Sequence, residues 1–360
     1  MKILLVKTSS LGDIIHTFPT LQYLREKFPK AQIDWVVEKP YAELVQAHPD
    51  VTDVLRVDTK TWRKNLFKKG TWQDILNFRK TLREVKYDVV FDLQGNIKSG
   101  LLCTRAHAKI KVGFGKETVP EWPNLLFTDR HYNPPQGLNI REDYLHLAQS
   151  YFDDKAPYKH EGVLLKLSGR QQASLQVALQ QPIMLDEHKV LVCAGSAWRN
   201  KQMERSALVD FLKLLKSHLN CSYLFAWGSA EEKLFAEDLQ SHFLSSSSIL
   251  EKLSLPALQN IMARCELVIA MDSLPLHLAG TTSTKTFSIF GASSADKYKP
   301  EGPQHIAYQG RCPYGRIFVK RCPVLRSCST GACIRTLSGQ SLFHFYLKSL
   351  TNSSPTPYSF

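Results

Sequence analysis

Short apolar runs and longer helical patterns alternate along the whole chain. KILLV, IDWVVE, DVLRV and YDVVFDL punctuate the first half, with TLQYLREKF and ILNFRKTLREV between them. In the second half come KVLVCAG, SYLFAWG, ELVIAMD and TKTFSIFG, separated by RSALVDFLKLLKSHL, EEKLFAEDLQSHF and LPALQNIMARC. In the intervening segments apolar residues recur at steps of three and four, the period of a helix with one buried face. Strand–helix–strand alternation predicts parallel sheets covered by helices on both faces, an α/β doubly wound fold. Hairpin turn pairs, which would mark antiparallel meanders, are scarce.

The alternation breaks over 153–188, where the polar, proline-bearing stretches DDKAPYKHEG and QQPIMLDEHK flank one expected short strand and one helical segment. Beyond the break, KVLVCAGSAWRNK repeats the plan of the opening KILLVKTSSLGD: a basic residue, a strand, then small polar residues ahead of a helix. Two domains of one architecture are expected, with strand ends facing a shared cleft. Ligands of open α/β sheets bind beyond the carboxyl ends of the strands.

The residues at those ends are therefore the candidates. In the first half they are Ser9, Ser10, Gly12 and Asp13, then Gln94, Gly95, Asn96 and Lys98. In the second they are Gly195, Ser196, Ala197 and Lys201, then Gly228, Ser229, Glu231 and Glu232, then Asp272, Ser273 and His277, and finally Gly291 to Ser294. Taken singly, most have a structural explanation. Ser10 and Asp13 form a capping-box signature, Glu232 is an acid suited to a first helical turn, Lys201 fits a solvated cap and His277 a first-turn position. Asp272 is harder to explain so, because an acid closing the apolar strand LVIAM is costly unless it is solvated or engaged. Polar groups recurring wherever strands stop is the pattern a nucleotide cleft requires.

Composition narrows the chemistry. The 360 residues are 43% hydrophobic and 22% charged, an ordinary globular balance with no run long enough to span a bilayer. The N-terminal apolar run is too short and too soon polar for a signal peptide, which gives a cytoplasmic expectation. The formal charge of +13 implies an acidic partner: nucleic acid, an anionic membrane face or a phosphorylated substrate. The densest basic stretch, TKTWRKNLFKKG, interleaves Lys60, Arg63, Lys64, Lys68 and Lys69 with Trp62 and Phe67, and reads either as a solvated helix face or as an anion- or membrane-binding surface. No nucleic-acid motif accompanies the charge, so no nucleic-acid partner is expected.

Of the eight cysteines, Cys103, Cys193, Cys221 and Cys265 have apolar neighbours and read as core. Cys312, Cys322, Cys328 and Cys333 crowd one segment without the tight spacing of a zinc knuckle, and are expected as reduced thiols. There is no phosphate-binding G-x-x-x-x-G-K-[ST], and the lone Gly113-Phe114-Gly115 lacks the third glycine of a dinucleotide fingerprint. No Asp-x-Asp pair is present to hold a metal on a diphosphate. No cofactor and no metal are expected. A nucleotide-diphosphate sugar donor meets these constraints: an acceptor hydroxyl attacks the anomeric carbon, a base removes its proton, and positive charge receives the diphosphate. Asp13 and Lys201 are suitably divided for those two tasks.

MKILLVKTSSLGDIIHTFPTL, DVVFDLQGNIKSGLL, GSAWRNK, AWGSAEE and MDSLPLHLAG together resemble the lipopolysaccharide heptosyltransferases of glycosyltransferase family 9. The resemblance runs in order over about residues 1–350, and with "WRK" at 62–64 it looks closest to the type that adds the first heptose. It implies a GT-B fold with an acceptor domain at 1–168, a nucleotide-sugar domain at 187–335, a helix at 338–350 returning to the first domain, and a flexible tail at 351–360. It implies an inverting, metal-independent transfer of heptose from ADP-heptose to the Kdo and inner-core region of lipopolysaccharide; the basic surface adds an expectation of peripheral association with the anionic inner membrane surface.

By position, the resemblance makes Asp13 the general base, with Ser10 and Gly12 near the acceptor, and sets Lys201 at the donor's phosphates and sugar. Ser196 and Ala197 fall where relatives present a polar pair to the diphosphate; Glu232 matches an acid on the donor ribose. Asp272, Ser273, Leu274 and His277 match the D-[ST]-G-x-x-H donor segment. Arg63, Lys64 and Lys98 are acceptor candidates. The chain departs from the pattern at Leu274, where glycine is usual, at Ala197, which lacks a hydroxyl, and at Gln202-Met203, where Trp-Pro is usual. These departures motivate two alternatives, a catalytically silent nucleotide-sugar binder or a member using another donor or acceptor.

Overall fold

The computed structural model of the protein describes residues 1–196 and 198–352. The chain divides into two compact units, Met1–Glu161 and Gly162–Phe360.

In the first unit the strands are β1 (Lys2–Val6), β2 (Gln32–Glu38), β3 (Asp53–Val57), β4 (Lys86–Asp92), β5 (His107–Phe114) and β6 (Arg130–Tyr132). Among the described residues they form one sheet, order β3-β2-β1-β4-β5-β6, parallel at every pairing. The helices are α1 (Leu11–His16), α2 (Phe18–Lys27), α3 (Ala42–Gln46), α4 (Thr59–Lys64), α5 (Lys69–Glu84), α6 (Ile97–Arg105) and α7 (Ile140–Tyr151). Ile3, Leu4, Leu5 and Val6 are all fully buried, as a central parallel strand covered on both faces requires. The strand order reverses direction between β1 and β4, so the crevice available to a ligand opens beyond their carboxyl ends.

The second unit repeats the arrangement. Its strands are β7 (Lys189–Cys193), β8 (Ser222–Phe225), β9 (Ser247–Ile249), β10 (Leu267–Met271), β11 (Lys285–Phe290) and β12 (His305–Gln309), in the order β12-β11-β10-β7-β8-β9. The helices are α8 (Gly169–Leu179), α9 (Arg205–Leu219), α10 (Ala230–Ser241), α11 (Leu255–Met262), α12 (Leu274–Ala279), α13 (Ala295–Tyr298), α14 (Ala332–Arg335) and α15 (Gly339–Asn352). Here the reversal lies between β7 and β10.

Two features differ from the sequence expectations. The division falls at residue 161 because the following segment is fastened to the second unit: Val163 N–H donates to Thr281 O at 2.7 Å, and Leu165 exchanges bonds with the Gln259 and Asn260 side chains of α11. That segment carries no strand and joins neither sheet, unlike the short strand expected there. The helix expected at 338–350 is counted within the second unit. As α15 it packs along α9 and β12, inserting Leu342 and Tyr346 into the core built by Phe211, Leu215 and Phe287. An apolar stripe goes to whichever core it completes, and its periodicity carries no address. Most of the expected tail lies outside the described residues.

Candidate active site

Asp13 sits in the first turn of α1, just past the exit of β1. One of its carboxylate oxygens, Oδ2, accepts from both Ser10 N–H at 3.1 Å and Ser10 Oγ–H at 2.8 Å. The other, Oδ1, lies 3.9 Å from His16 Nδ1. Asp13 is thus the capping acid the sequence suggests, and its side chain is still 28% exposed. Gly12 precedes it in the same turn. The loop ahead of it is pinned across the reversal point, since Gln94 Oε1 after β4 accepts from the amides of Thr8 and Ser9, both at 3.2 Å. Beneath Gln94, the buried Asp92 accepts from Gly95 N–H, Ser99 Oγ–H and Asn124 Nδ2. Burial pushes that carboxyl up, and these donors oppose the shift.

Behind the loop is a buried lysine that the sequence reading passed over. Lys7 is 3% exposed; its ammonium donates to Leu93 O at 2.9 Å and to Tyr144 Oη at 2.8 Å, and lies 4.3 Å from the centre of the Tyr144 ring. Burial lowers its pKa to about 8, against the opposing pull of the Asp13 and Asp92 carboxylates. Trp35 Nε1 fixes the Lys7 carbonyl at 3.0 Å. A positive charge is therefore built in beneath the turn carrying Asp13. Lys98, near the start of α6, bonds the buried Glu38 at 3.0 Å, which also accepts from Thr59 of α4. Arg63 and Lys64 lie exposed on α4.

In the second unit, Lys201 ends a 3-10 turn (Arg199–Lys201) after β7, and Asp272 ends β10. They meet across the reversal point, Lys201 Nζ to Asp272 Oδ2 at 2.5 Å, both side chains buried. His277 Nε2 in α12 is 3.9 Å from the other carboxylate oxygen. Burial pushes the Asp272 carboxyl up, but the Lys201 ammonium and His277 outweigh it and hold the group below the usual carboxylate range. Ser273 donates its hydroxyl to Met271 O, and Leu274 begins α12, half-buried. Ala197 lies outside the described residues.

Beside this pair is a pocket of about 600 Å³ lined by Ser196, Met203, Arg205, Glu232, Phe235 and Arg335, among others. Glu232, in the first turn of α10, accepts at Oε2 from the amides of Gly228 (2.7 Å) and Ser229 (3.2 Å). A Cβ on Gly195 would meet the Glu232 carboxylate, so glycine at the end of β7 is what lets this acid lie over the strand end. Glu231 lines the same pocket but is exposed; the capping bonds belong to Glu232.

The cysteine-rich segment has a structural task here. Cys322 and Cys333 are buried with Ala292 in a small core of their own, and all four cysteines of the segment are free thiols. The segment supports the lysine loop: Asn200 Nδ2 donates to Leu325 O, and Arg335 pairs with Glu204. Gly331 holds a positive φ of 58° with Asn200 so close that a Cβ would lie 3.0 Å from it. Among the described residues no three His, Cys, Asp or Glu side chains converge on a metal position.

Residues 75–325 match the family model of glycosyltransferase family 9 (heptosyltransferase). The chain belongs to glycosyltransferase family 9. It is 32% identical over 298 residues to lipopolysaccharide heptosyltransferase 1 of Pseudomonas aeruginosa, covering 82% of this chain and 79% of that protein. It is 26% identical over 291 residues to lipopolysaccharide heptosyltransferase 1 of Escherichia coli K12, covering 81% and 88%. Among solved structures, E. coli heptosyltransferase WaaC with ADP superposes with a TM-score of 0.77 at 23% identity, over 97% of this chain and all of that one. E. coli ADP-heptose lps heptosyltransferase II does so at 0.70 and 17%. These likenesses carry the fold, GT-B, and membership of family 9 makes this chain a glycosyltransferase. Within that family frame, the residues missed by sequence reasoning are those whose role depends on burial or on a distant partner: Lys7, Asn200 and the Glu204–Arg335 pair. Lys7 and Asn200 lie within quoted motifs, but nothing in the local pattern says that the Lys7 ammonium is buried or that Asn200 reaches Leu325.

Proposed function

We propose that this glycosyltransferase moves a heptose, with inversion and without a metal, from ADP-heptose to the Kdo and inner-core region of lipopolysaccharide. The proposal rests on the family and above all on one observation, the buried Lys201–Asp272 pair spanning the reversal point of the second sheet. An ammonium held there by a carboxylate is pre-oriented, so it meets a diphosphate without first being ordered. The adjacent pocket with Glu232 suits the adenosine diphosphate, its acid toward the ribose hydroxyls.

In the transfer, the acceptor hydroxyl oxygen bonds to the anomeric carbon as the bond from that carbon to the phosphate oxygen breaks. The hydroxyl proton passes to Asp13, and the electron pair leaves with ADP, whose growing charge Lys201 receives. Ser10, by holding Asp13 Oδ2 with two bonds, orients the carboxylate. Ser196, Ser273, Leu274 and His277 complete the donor side, and Gly12, Arg63, Lys64 and Lys98 the acceptor side. Among the described residues no helix is long and apolar enough to cross a membrane; the charge of +13 supports peripheral association with the anionic cytoplasmic face of the inner membrane.

The test is turnover of ADP-heptose with a Kdo-bearing lipid acceptor, read as ADP release and as mass gain of the acceptor, alongside a panel of other nucleotide sugars. Transfer of heptose supports the assignment; transfer from another donor only would overturn it. A second reading, the silent donor-binding homologue, is motivated by the half-buried leucine at 274. Tight ADP-heptose binding with neither transfer nor hydrolysis would select it.

A further inference from the structure

In the first unit, α4, α5 and α6 enclose a groove of about 770 Å³, within the roughly 300–1,000 Å³ range of ligand sites. Its lining is mostly apolar, including Trp62, Trp72, Ile75, Leu76, Phe78 and Leu101. Trp72, Leu76 and Leu101 are 53%, 54% and 47% exposed. Of the sixteen residues of α5, only Thr71 and Leu82 are buried, so this amphipathic helix turns much of its apolar stripe to open space. A contiguous apolar face of this kind marks a binding site more often than a plain surface.

The groove's chemistry names its occupant. Lys60, Arg63, Arg79 and Arg105 also line it, with Lys98, which is paired to Glu38; the one carboxylate of the lining, Glu121, is already engaged by the amide of Ile97. Indole rings can stack on a sugar, but the aliphatic Ile75, Leu76 and Leu101 offer a sugar or a bare phosphate nothing to bond, and the cations are the wrong company for a neutral hydrocarbon. Together they fit one amphiphile with an anionic head and a hydrocarbon tail. The groove also shares α6 with the segment that leaves β4. Lys98 lines it, four residues after Gln94, whose side chain holds the loop ahead of Asp13.

We propose that this groove holds an acyl chain of the acceptor lipid itself, so that the enzyme grips its acceptor by the tail as well as by the sugar. The inference rests on the acceptor's being a lipid-linked sugar, as set out above. The exposed Leu66 and Phe67 in the α4–α5 connection would then meet the leaflet from which that chain is drawn.

The experiment compares, in detergent solution, the acylated acceptor with the same glycan stripped of every acyl chain. The enzymes are wild type, Leu76→Gln and Leu101→Gln. These side chains are half-exposed, so the variants are expected to keep the wild-type Tm. The acylated acceptor should show a KM about tenfold lower than the stripped one with wild type, as burial of a few methylenes gives. Either substitution should raise that KM about tenfold while leaving KM and kcat for the stripped glycan unchanged. An acylated acceptor brominated along its chain supplies a readout independent of catalysis: it should quench tryptophan emission in wild type and much less in the variants.

Unchanged KM for the acylated acceptor in both variants, or an equal rise on both acceptors, would overturn the groove assignment. So would variants that lose only their binding to acceptor-free anionic vesicles, an outcome that makes this face a contact with bulk bilayer. Quenching without any transfer would sink the heptosyl-transfer reading and leave the groove standing; transfer without quenching would do the reverse.

Discussion

Replacing Lys201 by methionine keeps the length of the side chain and removes its charge, so it isolates what the Lys201–Asp272 pair contributes. Both partners are buried, and their contact is 2.5 Å. Taking away one member of such a pair leaves an uncompensated charge in the interior, which costs about 3–5 kcal/mol. His277, 3.9 Å from the carboxylate, offsets part of this, so a loss of about 2–4 kcal/mol is expected near pH 8.

The pH dependence carries the sharper information. In wild type the Asp272 carboxyl lies below its ordinary value of 3.8. Its contribution to stability is therefore present above that value and fades only as pH falls through the lower, folded pKa. Without Lys201, burial dominates and raises the folded pKa above 3.8. The penalty is then absent at low pH, where the group is protonated in both states, and grows as pH rises through the raised value. Urea unfolding of Lys201→Met and wild type at pH 5 and pH 8 should show the larger gap at pH 8. ADP-heptose turnover should fall about 10²–10³-fold, the usual effect of removing one stabilising donor from a transition state. A gap in stability that is the same at both pH values would refute the buried-pair argument, and wild-type turnover would refute the role at the diphosphate.

Asp13→Asn should keep the bonds from Ser10 and lower kcat by about 10²–10⁴-fold, with ADP-heptose affinity by calorimetry unchanged; an equal loss of donor affinity would point to a binding role instead. For Lys7, the interval between about 8 and 10.5 corresponds to roughly 3 kcal/mol at about 1.36 kcal/mol per pH unit. Because the unfolded chain holds this proton to higher pH, Lys7 makes wild-type stability rise between those values; the difference between wild type and Lys7→Met, measured by urea unfolding at pH 8 and pH 10, should move in favour of wild type at the higher pH. Leu342→Ala should cost about 2–5 kcal/mol through the core of the second unit, seen as a lowered Tm; a negligible change would argue against the packing of α15 on α9.

Much of the fold was legible because strand and helix periods are local properties. Every strand named from the sequence alternation is found, and the α/β class follows from their order. β5, β6, β9 and β12 were not named from the sequence; β6 and β9, at three residues each, are too short to show a period. The packing of α15 on α9 was not legible for a different reason. Its stripe of Leu342, Tyr346 and their neighbours declares that it must be buried, whereas α9 and β12 decide where.

The site divides along the same line. The sequence by itself determined that Asp13 caps a helix after a strand, that Glu232 opens another, and that Asp272 closes an apolar strand, because capping and strand-end chemistry span only a few residues. Only the tertiary structure decided that Lys201 lies on Asp272, that Lys7 is buried beneath the Asp13 turn, and that the cysteine segment braces Asn200. Those contacts join residues tens of positions apart or depend on what covers a side chain. Ion pairing and desolvation act through space, and sheet order, rather than local pattern, sets which strand ends become neighbours.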